Sequence, residues 1–315
     1  MRILTKRDPA FPALIVLCCT GALHGATLAA QEGTPAAPDA AATATEDAQE
    51  ESDALEALRA RVAKAHGTAD RDAPIDRFRA AIRITPAQKS AERIEIDLTA
   101  AFLAPDRLRY RVQEQGKDLE RGQDSKGMWT RDGDRIVAMD RGEEARQFAT
   151  DRRTLAQHVR LARQLVAFLD PASMLGELEG VSDVEDTTFR LGKRGRGLEI
   201  DATSVEGTLD SFPLFVPATD GNANARVRLR LWFARDTGLL AAARAIPIRE
   251  DGRVDGAPET YLLREYQAVD GLQLPLSLLI FRGGGVEPVR EAEIGLRSID
   301  LDQKLDPRSL ERDWR

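Results

Sequence analysis

The chain has 315 residues, 42% hydrophobic and 31% charged, enough for one large core or two small ones, which excludes a disordered or disulfide-stapled class. With 45 basic against 52 acidic residues the net charge is −7, so the global electrostatics give no reason to expect nucleic acid as a partner. Aromatic residues make up only 5%, and Asn222 and Asn224 are the only asparagines, which argues against base-stacking platforms and amide-based recognition.

Residues 1–30 read as a secretory signal peptide. Arg2, Lys6 and Arg7 form its basic start, Ala13–Leu17 opens an apolar stretch, and Ala26–Ala30 supplies small residues before Gln31. Cleavage after Ala29 or Ala30 is expected, which makes the protein exported and periplasmic. An uncleaved anchor is the competing reading, but Thr20, Gly21, His24 and Gly25 interrupt its apolar run. A lipoprotein cut before Cys18 or Cys19 lacks the small residue it needs, because Leu17 occupies the approach. Both cysteines lie in this segment, so no disulfides are expected after export, and removal of Arg2, Lys6, Arg7 and Asp8 takes the charge to −9. Gln31–Glu50 holds no apolar side chain larger than Ala and no base, and reads as a flexible linker, leaving residues 51–315 as the folded domain.

In chain order, Ser52 is placed to cap a helix whose Leu55, Leu58, Val62 and Ala65 share one face, with Gly67 ending it. Strand-period alternation follows: Phe78, Ala80, Ile82 and Ile84 between arginines, then Ile94, Ile96 and Leu98 between Arg93, Glu95 and Asp97, continuing through Phe102 to Pro105. Leu108, Tyr110 and Val112 then alternate with Arg107, Arg109 and Arg111. Apolar residues on one side and charges on the other predict an antiparallel sheet with one wet face. Two short strands flank the hairpin dipeptide Asp132-Gly133. The period then becomes helical from Asp151, with a stripe of Leu155, Val159, Ala162, Val166 and Leu169 widened by Leu161, Leu165 and Phe168, until Asp170-Pro171 stops it. A short helix is predicted over Ser173–Leu178. Seven more strands are predicted beyond it: Thr187–Leu191, Leu198–Val205, Arg226–Ala234, Leu239–Ile248, Glu259–Val269, Leu272–Arg282 and Arg290–Leu301. About ten meandering strands with one helical insertion predict an α+β domain: a curved antiparallel sheet forming an incomplete half barrel, with helices covering the concave side.

The motifs that would announce an enzyme are missing. There is no G-x-S-x-G elbow, P-loop, H-E-x-x-H or paired C-x-x-C. Outside the leader only His66 and His158 remain, the first read as a helix-end cap or dipole partner and the second as a boundary histidine of the middle helix. No metal site and no cofactor are expected. Asp220, Asn222 and Asn224 imitate the start of an EF-hand loop, but Ala225 and Leu231 stand where the turn Gly and the bidentate Glu belong. Glu95 and Asp97 read as an exposed charged face, and Gly283–Gly285 as a hairpin loop. The arginine rows 77/79/83, 107/109/111 and 226/228/230 read as salt-bridged surface rather than a basic patch.

The order of elements resembles the LolA/LolB superfamily of periplasmic lipoprotein carriers, with the related RseB sensor domain. The matching pieces are Ala104-Pro105-Asp106-Arg107-Leu108-Arg109-Tyr110, the hairpin Gly122–Trp129, the helical stretch Asp170–Leu178, and Glu265–Pro275, similar to the family's "Y..v.Gl.lP" strand pair. Together they span approximately Leu55 to Leu310. Where those carriers have an arginine before the proline this chain has Ala104, and Leu108 replaces a bulky aromatic, so the resemblance implies the half-barrel fold more firmly than lipoprotein shuttling.

The function expected on this basis is non-enzymatic carriage of acyl chains or lipoproteins. The ligand-binding concavity would be formed by Phe78, Ile82, Ile94, Leu98, Phe102, Leu108, Tyr110, Leu229, Leu231 and Phe233. The middle helix, with Leu155, Val159, Ala162, Leu165, Val166 and Leu169, is expected to be its lid, hinged at Asp170-Pro171. The partner would be a lipid or acylated protein, with no nucleic acid. The alternative is an RseB-like envelope sensor or scaffold that binds a protein partner, and a hydrolase is disfavoured because two separated histidines assemble no nucleophile–base pair.

Overall fold

The computed structural model describes residues 39–71, 75–87, 95–114, 117–140, 146–182, 184–192, 197–215, 224–283, 288–301 and 305–312. The expected signal peptide, its cleavage site, Cys18, Cys19 and the first part of the linker lie outside the described residues, as do Ile94, Asp220 and Asn222.

A long helix α1 (Asp39–His66) precedes six strands: β1 (Arg77–Pro86), β2 (Ile96–Leu103), β3 (Arg107–Glu114), β4 (Lys117–Asp124), β5 (Gly127–Asp132) and β6 (Arg135–Ala138). Two helices follow, α2 (Ala149–Leu169) and α3 (Pro171–Gly176). Seven strands complete the fold: β7 (Glu185–Leu191), β8 (Leu198–Pro213), β9 (Asn224–Ala234), β10 (Leu240–Pro247), β11 (Glu259–Val269), β12 (Leu272–Arg282) and β13 (Val289–Asp300). All 13 strands form one open antiparallel sheet in the order β6-β5-β4-β3-β2-β1-β13-β12-β11-β10-β9-β8-β7.

Each half is a plain meander, and the two are joined by β1 pairing with β13, from Arg79 opposite Asp300 to Pro86 opposite Ala292. The helices α2 and α3 sit in the connection between β6 and β7, the two edges of the sheet. A residue alternation of two sends Phe78, Ala80, Ile82 and Ile84 into the core while Arg77, Arg79 and Arg83 remain outside it. The charged face is salt-bridged: Arg83 pairs with Asp97 at 2.7 Å, Arg109 with Glu120, and Arg226 with Asp210 at 3.1 Å.

Two expectations need correction. The first helix does not begin at Ser52 but at Asp39, so residues 39–50 are helical although they lack large apolar groups. Ala40–Ala42 and the run Glu46–Glu51 are rich in strong helix formers, and propensity extends the helix beyond its buried face. The strand β4 is an addition to the predicted elements, because Lys117–Asp124 has a single large apolar residue, Leu119, and hence no alternation to read. Its place is fixed by pairing with β3 and β5.

The end of α1 is anchored by close backbone approach. Gly67, at φ +75°, lies against the Asp270-Gly271 turn between β11 and β12, where a Cβ would come within 2.0 Å of the Gly271 carbonyl oxygen. His66 does not act as a charged cap. It is fully buried, accepts a hydrogen bond on Nε2 from the Leu240 amide at 3.0 Å, and lies edge-on to Tyr266. Tyr266 in turn donates to the Leu240 carbonyl at 2.7 Å. The carboxyl-terminal segment closes on the outer side of β3–β5: Arg312 clamps Asp124 at 2.8 and 2.9 Å, and Leu305 and Leu310 pack with Leu103.

Gly67→Ala is therefore expected to lower stability by roughly 2 kcal/mol or more, from an unfavourable φ and a backbone clash together. Gly271→Ala, where φ is +81° but no atom lies within 4 Å of the added Cβ, should cost less. Thermal unfolding of the two variants side by side checks the difference.

Candidate functional site

The apolar stripe of α2 is too wide for one flat contact, and the helix touches β3 and β4 on one flank and β8 and β12 on another. Leu155, Val159, Ala162, Leu165 and Leu169 are buried, and Val166 is half-buried against them. Phe78, Ile82, Leu98, Phe102, Leu108, Tyr110, Leu229, Leu231 and Phe233 belong to the same continuous cluster. The structure thus brings together the described sheet residues and helix residues singled out from the sequence, packed side chain against side chain.

Two polar contacts fix the flanks of α2. On the β3–β4 side His158 packs edge-on to Tyr110 with ring centroids 4.9 Å apart, and Arg121 pairs with Asp151 at 3.2 Å. On the other side a buried network runs through the core: Gln164 donates to the Tyr261 hydroxyl at 2.8 Å and to the Pro213 carbonyl, and Tyr261 donates to Glu259. Glu259 also accepts from the Phe215 amide at 2.9 Å, and Arg160 donates to the Phe215 carbonyl at 3.3 Å. Burial pushes the Tyr261 phenol well above its ordinary range, with the Glu259 charge adding to it. Burial also lowers the Arg160 guanidinium, opposed by Glu259 and Tyr261.

A cavity of about 330 Å³ lies beside the carboxyl-terminal half of α2. Its apolar walls come from Ile75, Phe102, Met174, Leu209 and Phe212, with Val166 and Ala167 of α2. Its polar lining is Arg163, Asp170, Ser173, Glu177 and Ser211, of which Glu177 and Ser211 are exposed to solvent. Asp170 also caps α3, accepting from the Ser173 amide at 3.2 Å. Burial draws the Arg163 guanidinium down, with Asp106 opposing. Ala104 and Pro105 complete the wall. This is a small cleft with an apolar interior and a charged lining, at the lower end of the size range of ligand pockets.

Of the residues named from the sequence, Phe102 and Val166 line this cleft, while Ile82 and Leu98 reach a separate concavity of about 780 Å³. That larger space is walled by Arg83, Asp97, Arg111, Glu120 and Arg131, largely engaged in ion pairs, alongside Ile82, Leu98, Val112 and Leu119. Sequence reasoning missed Ile75, Met174, Leu209 and Phe212. They come from a loop, a six-residue helix and the irregular end of β8, where the register shifts between Leu209 and Phe212, so no periodicity marks them as a group. The available signal was the apolar composition of Leu209, Phe212 and Leu214 beyond the predicted strand end.

The two histidines do not form a site. His66 contacts β10 and β11 and His158 contacts β3. Among the described residues no group of three His, Cys, Asp or Glu side chains could hold a metal ion.

No family model matches the chain, and no curated protein matches it. It is similar to a solved LolA superfamily protein from Nitrosomonas europaea, at 9% identity and TM-score 0.44, over 82% of this chain and 98% of that one. It is also similar to an outer membrane lipoprotein-sorting protein domain from Vibrio parahaemolyticus, at 12% identity and TM-score 0.41, covering 83% and 97% of the two chains. A DUF1329 family protein from Desulfovibrio piger gives 13% identity and TM-score 0.41, again over 83% and 97%. These likenesses are distant, and the functional reading rests on the cleft.

Burial lowers both histidines to about 4, with the Gln273 backbone opposing at His66 and Arg121 adding to the effect at His158. Both are neutral in the fold at pH 6, whereas an unfolded histidine takes a proton near pH 6.5. Their stabilisation is complete above pH 6.5 and is lost as pH falls toward 4, on the order of 3 kcal/mol each. The melting temperature is expected to fall across that window, and His158→Phe, which keeps a ring against Tyr110, should remove its share of the slope. Tyr261→Phe should cost about 1–3 kcal/mol at every pH, because Glu259 loses a donor and Gln164 an acceptor in the core.

Proposed function

We propose that this protein is an exported, non-enzymatic carrier that takes an acyl chain, free or attached to a protein, beneath α2 in an incomplete barrel whose concave side the helices cover. The observation that carries the reading is the cleft at the α2–α3 joint, where apolar side chains of the sheet meet Val166 and Ala167 of the helix. Asp170-Pro171 breaks the helical backbone at that point, so α2 and α3 are separate rigid pieces. A chain entering the cleft and displacing α2 would meet Phe78, Ile82, Leu98, Phe102, Leu108, Tyr110, Leu229, Leu231 and Phe233 as one apolar surface. About ten buried methylenes at ~0.8 kcal/mol each would give a gross gain near 8 kcal/mol, from which the costs of ordering are subtracted.

A second reading is favoured by a different observation: α2 packs side chain against side chain on β3, β4, β8 and β12, as in a rigid domain that needs no lipid. In that case the protein is an envelope sensor or scaffold that binds a protein partner.

Val166→Trp separates the two. With the cleft filled by an indole, the carrier reading expects a folded protein whose affinity for a fluorescent fatty acid is at least about tenfold weaker than wild type. Wild-type protein that binds no fatty acid and carries no co-purifying lipid by mass spectrometry would favour the scaffold instead.

A further inference from the structure

The sheet has two free edges, and they differ. β6 is four residues long, too short to template a partner, whereas β7 has seven residues and only β8 as a hydrogen-bonded neighbour among the described residues. A free edge of that length presents unpaired backbone donors and acceptors.

The sequence of β7, Glu-Asp-Thr-Thr-Phe-Arg-Leu, is acidic at its start and basic near its end. Turned antiparallel on itself about Thr188, it sets Asp186 opposite Arg190 and Arg190 opposite Asp186, with Thr187 opposite Phe189 on both sides. Opposite charges directly across a strand pair attract, while a parallel in-register pairing would set each charge against its own copy. Both side chains keep open surface: Arg190 is 55% exposed beside Glu199, and Asp186 is 58% exposed beside Arg235.

The outer face next to this edge is apolar where the alternation predicts charge. Phe189 and Trp232 pack with ring centroids 5.0 Å apart, and Leu191, Leu198 and Ile200 lie half-buried against the same cluster. Five members of that cluster, Phe189, Leu191, Leu198, Ile200 and Ala202, are on the last two strands of the sheet. A two-fold operation about Thr188 that continues the sheet places this patch beside its own copy on the same face, with Phe189 opposite Thr187 on both sides of the axis, the self-complementarity an isologous interface requires.

We propose that the β7 edge is a homodimer interface in which a second copy of this chain adds antiparallel across Thr188, continuing the sheet through the two-fold axis.

Sedimentation of the purified protein is expected to show a concentration-dependent dimer. Asp186→Arg and Arg190→Glu should each raise the dimer dissociation constant at least about tenfold. A mixture of the two variants should dimerise again, because in the mixed pair both contacts across the axis once more join a base to an acid: the introduced arginine meets the introduced glutamate, and the retained Arg190 meets the retained Asp186. Thr188→Cys, made with Cys18 and Cys19 replaced by serine, should form a covalent dimer on mild oxidation. Circular dichroism of each variant separates loss of pairing from loss of fold, and the cysteine variant tests the edge without altering its charges. A monomer at every concentration, a dimer indifferent to both charge reversals, no rescue on mixing, or open-ended polymers from β6 meeting β7 would each overturn the proposal.

Discussion

The ladder between β1 and β13 is the contact on which the rest of the molecule depends. Every other strand pair joins neighbours in sequence, so without it the chain would form two separate meanders, each with its own exposed apolar face. Their union requires closing a loop of about two hundred residues, an entropic cost that grows slowly with length and is offset by a full strand of backbone hydrogen bonds. It also aligns Ile82 and Ile84 of β1 with Ile294 and Leu296 of β13, so the inner faces of both meanders merge into one surface. Only then is there an apolar area wide enough to match the stripe on α2.

That match explains why α2 is held differently on its two sides. Toward β3 and β4 the contacts are an aromatic edge and an ion pair, His158 on Tyr110 and Arg121 on Asp151. Toward β8 and β11 they are directional hydrogen bonds inside the core, through Gln164, Tyr261 and Glu259. A buried polar network of this kind is costly unless each member is satisfied, and it fixes one orientation of the helix where apolar packing alone would tolerate several. The same interior polarity has no counterpart in the stripe arithmetic, because Gln164 and Arg160 look like solvent-facing residues between apolar neighbours.

The legible part of the fold is what periodicity controls. Phe78 to Ile84, Leu108 to Val112, and the stripe from Leu155 to Leu169 point where their spacing says, and the Asp270-Gly271 turn falls where its residues take positive φ, while the turn expected at Asp132-Gly133 is centred one residue later, on Gly133-Asp134. The illegible part is what depends on remote contact. The β1–β13 partnership joins segments about two hundred residues apart, β4 is held by its neighbours rather than by its own pattern, and His66 owes its neutrality to strands that follow it by about 170 residues. The candidate cleft belongs to this second group, since Ile75, Met174 and Phe212 share no local pattern and meet only in three dimensions.

The position of the cleft bears on how a long apolar ligand would be admitted. It lies against the carboxyl-terminal half of α2, next to the break at Asp170-Pro171 and one helical turn from Gln164. A volume of about 330 Å³ holds only part of a long chain, so a larger ligand requires α2 to lift from the sheet. Lifting the carboxyl-terminal half first would take the Gln164 amide away from the Tyr261 hydroxyl and the Pro213 carbonyl in the core, whereas lifting the amino-terminal half first would give up the aromatic contact of His158 and the ion pair of Asp151. The second route gives up fewer buried hydrogen bonds and pivots about the backbone break that already exists. On the carrier reading proposed above, the helix would therefore open from its amino-terminal end, with the cleft beside the pivot as the place that would retain the tip of the ligand.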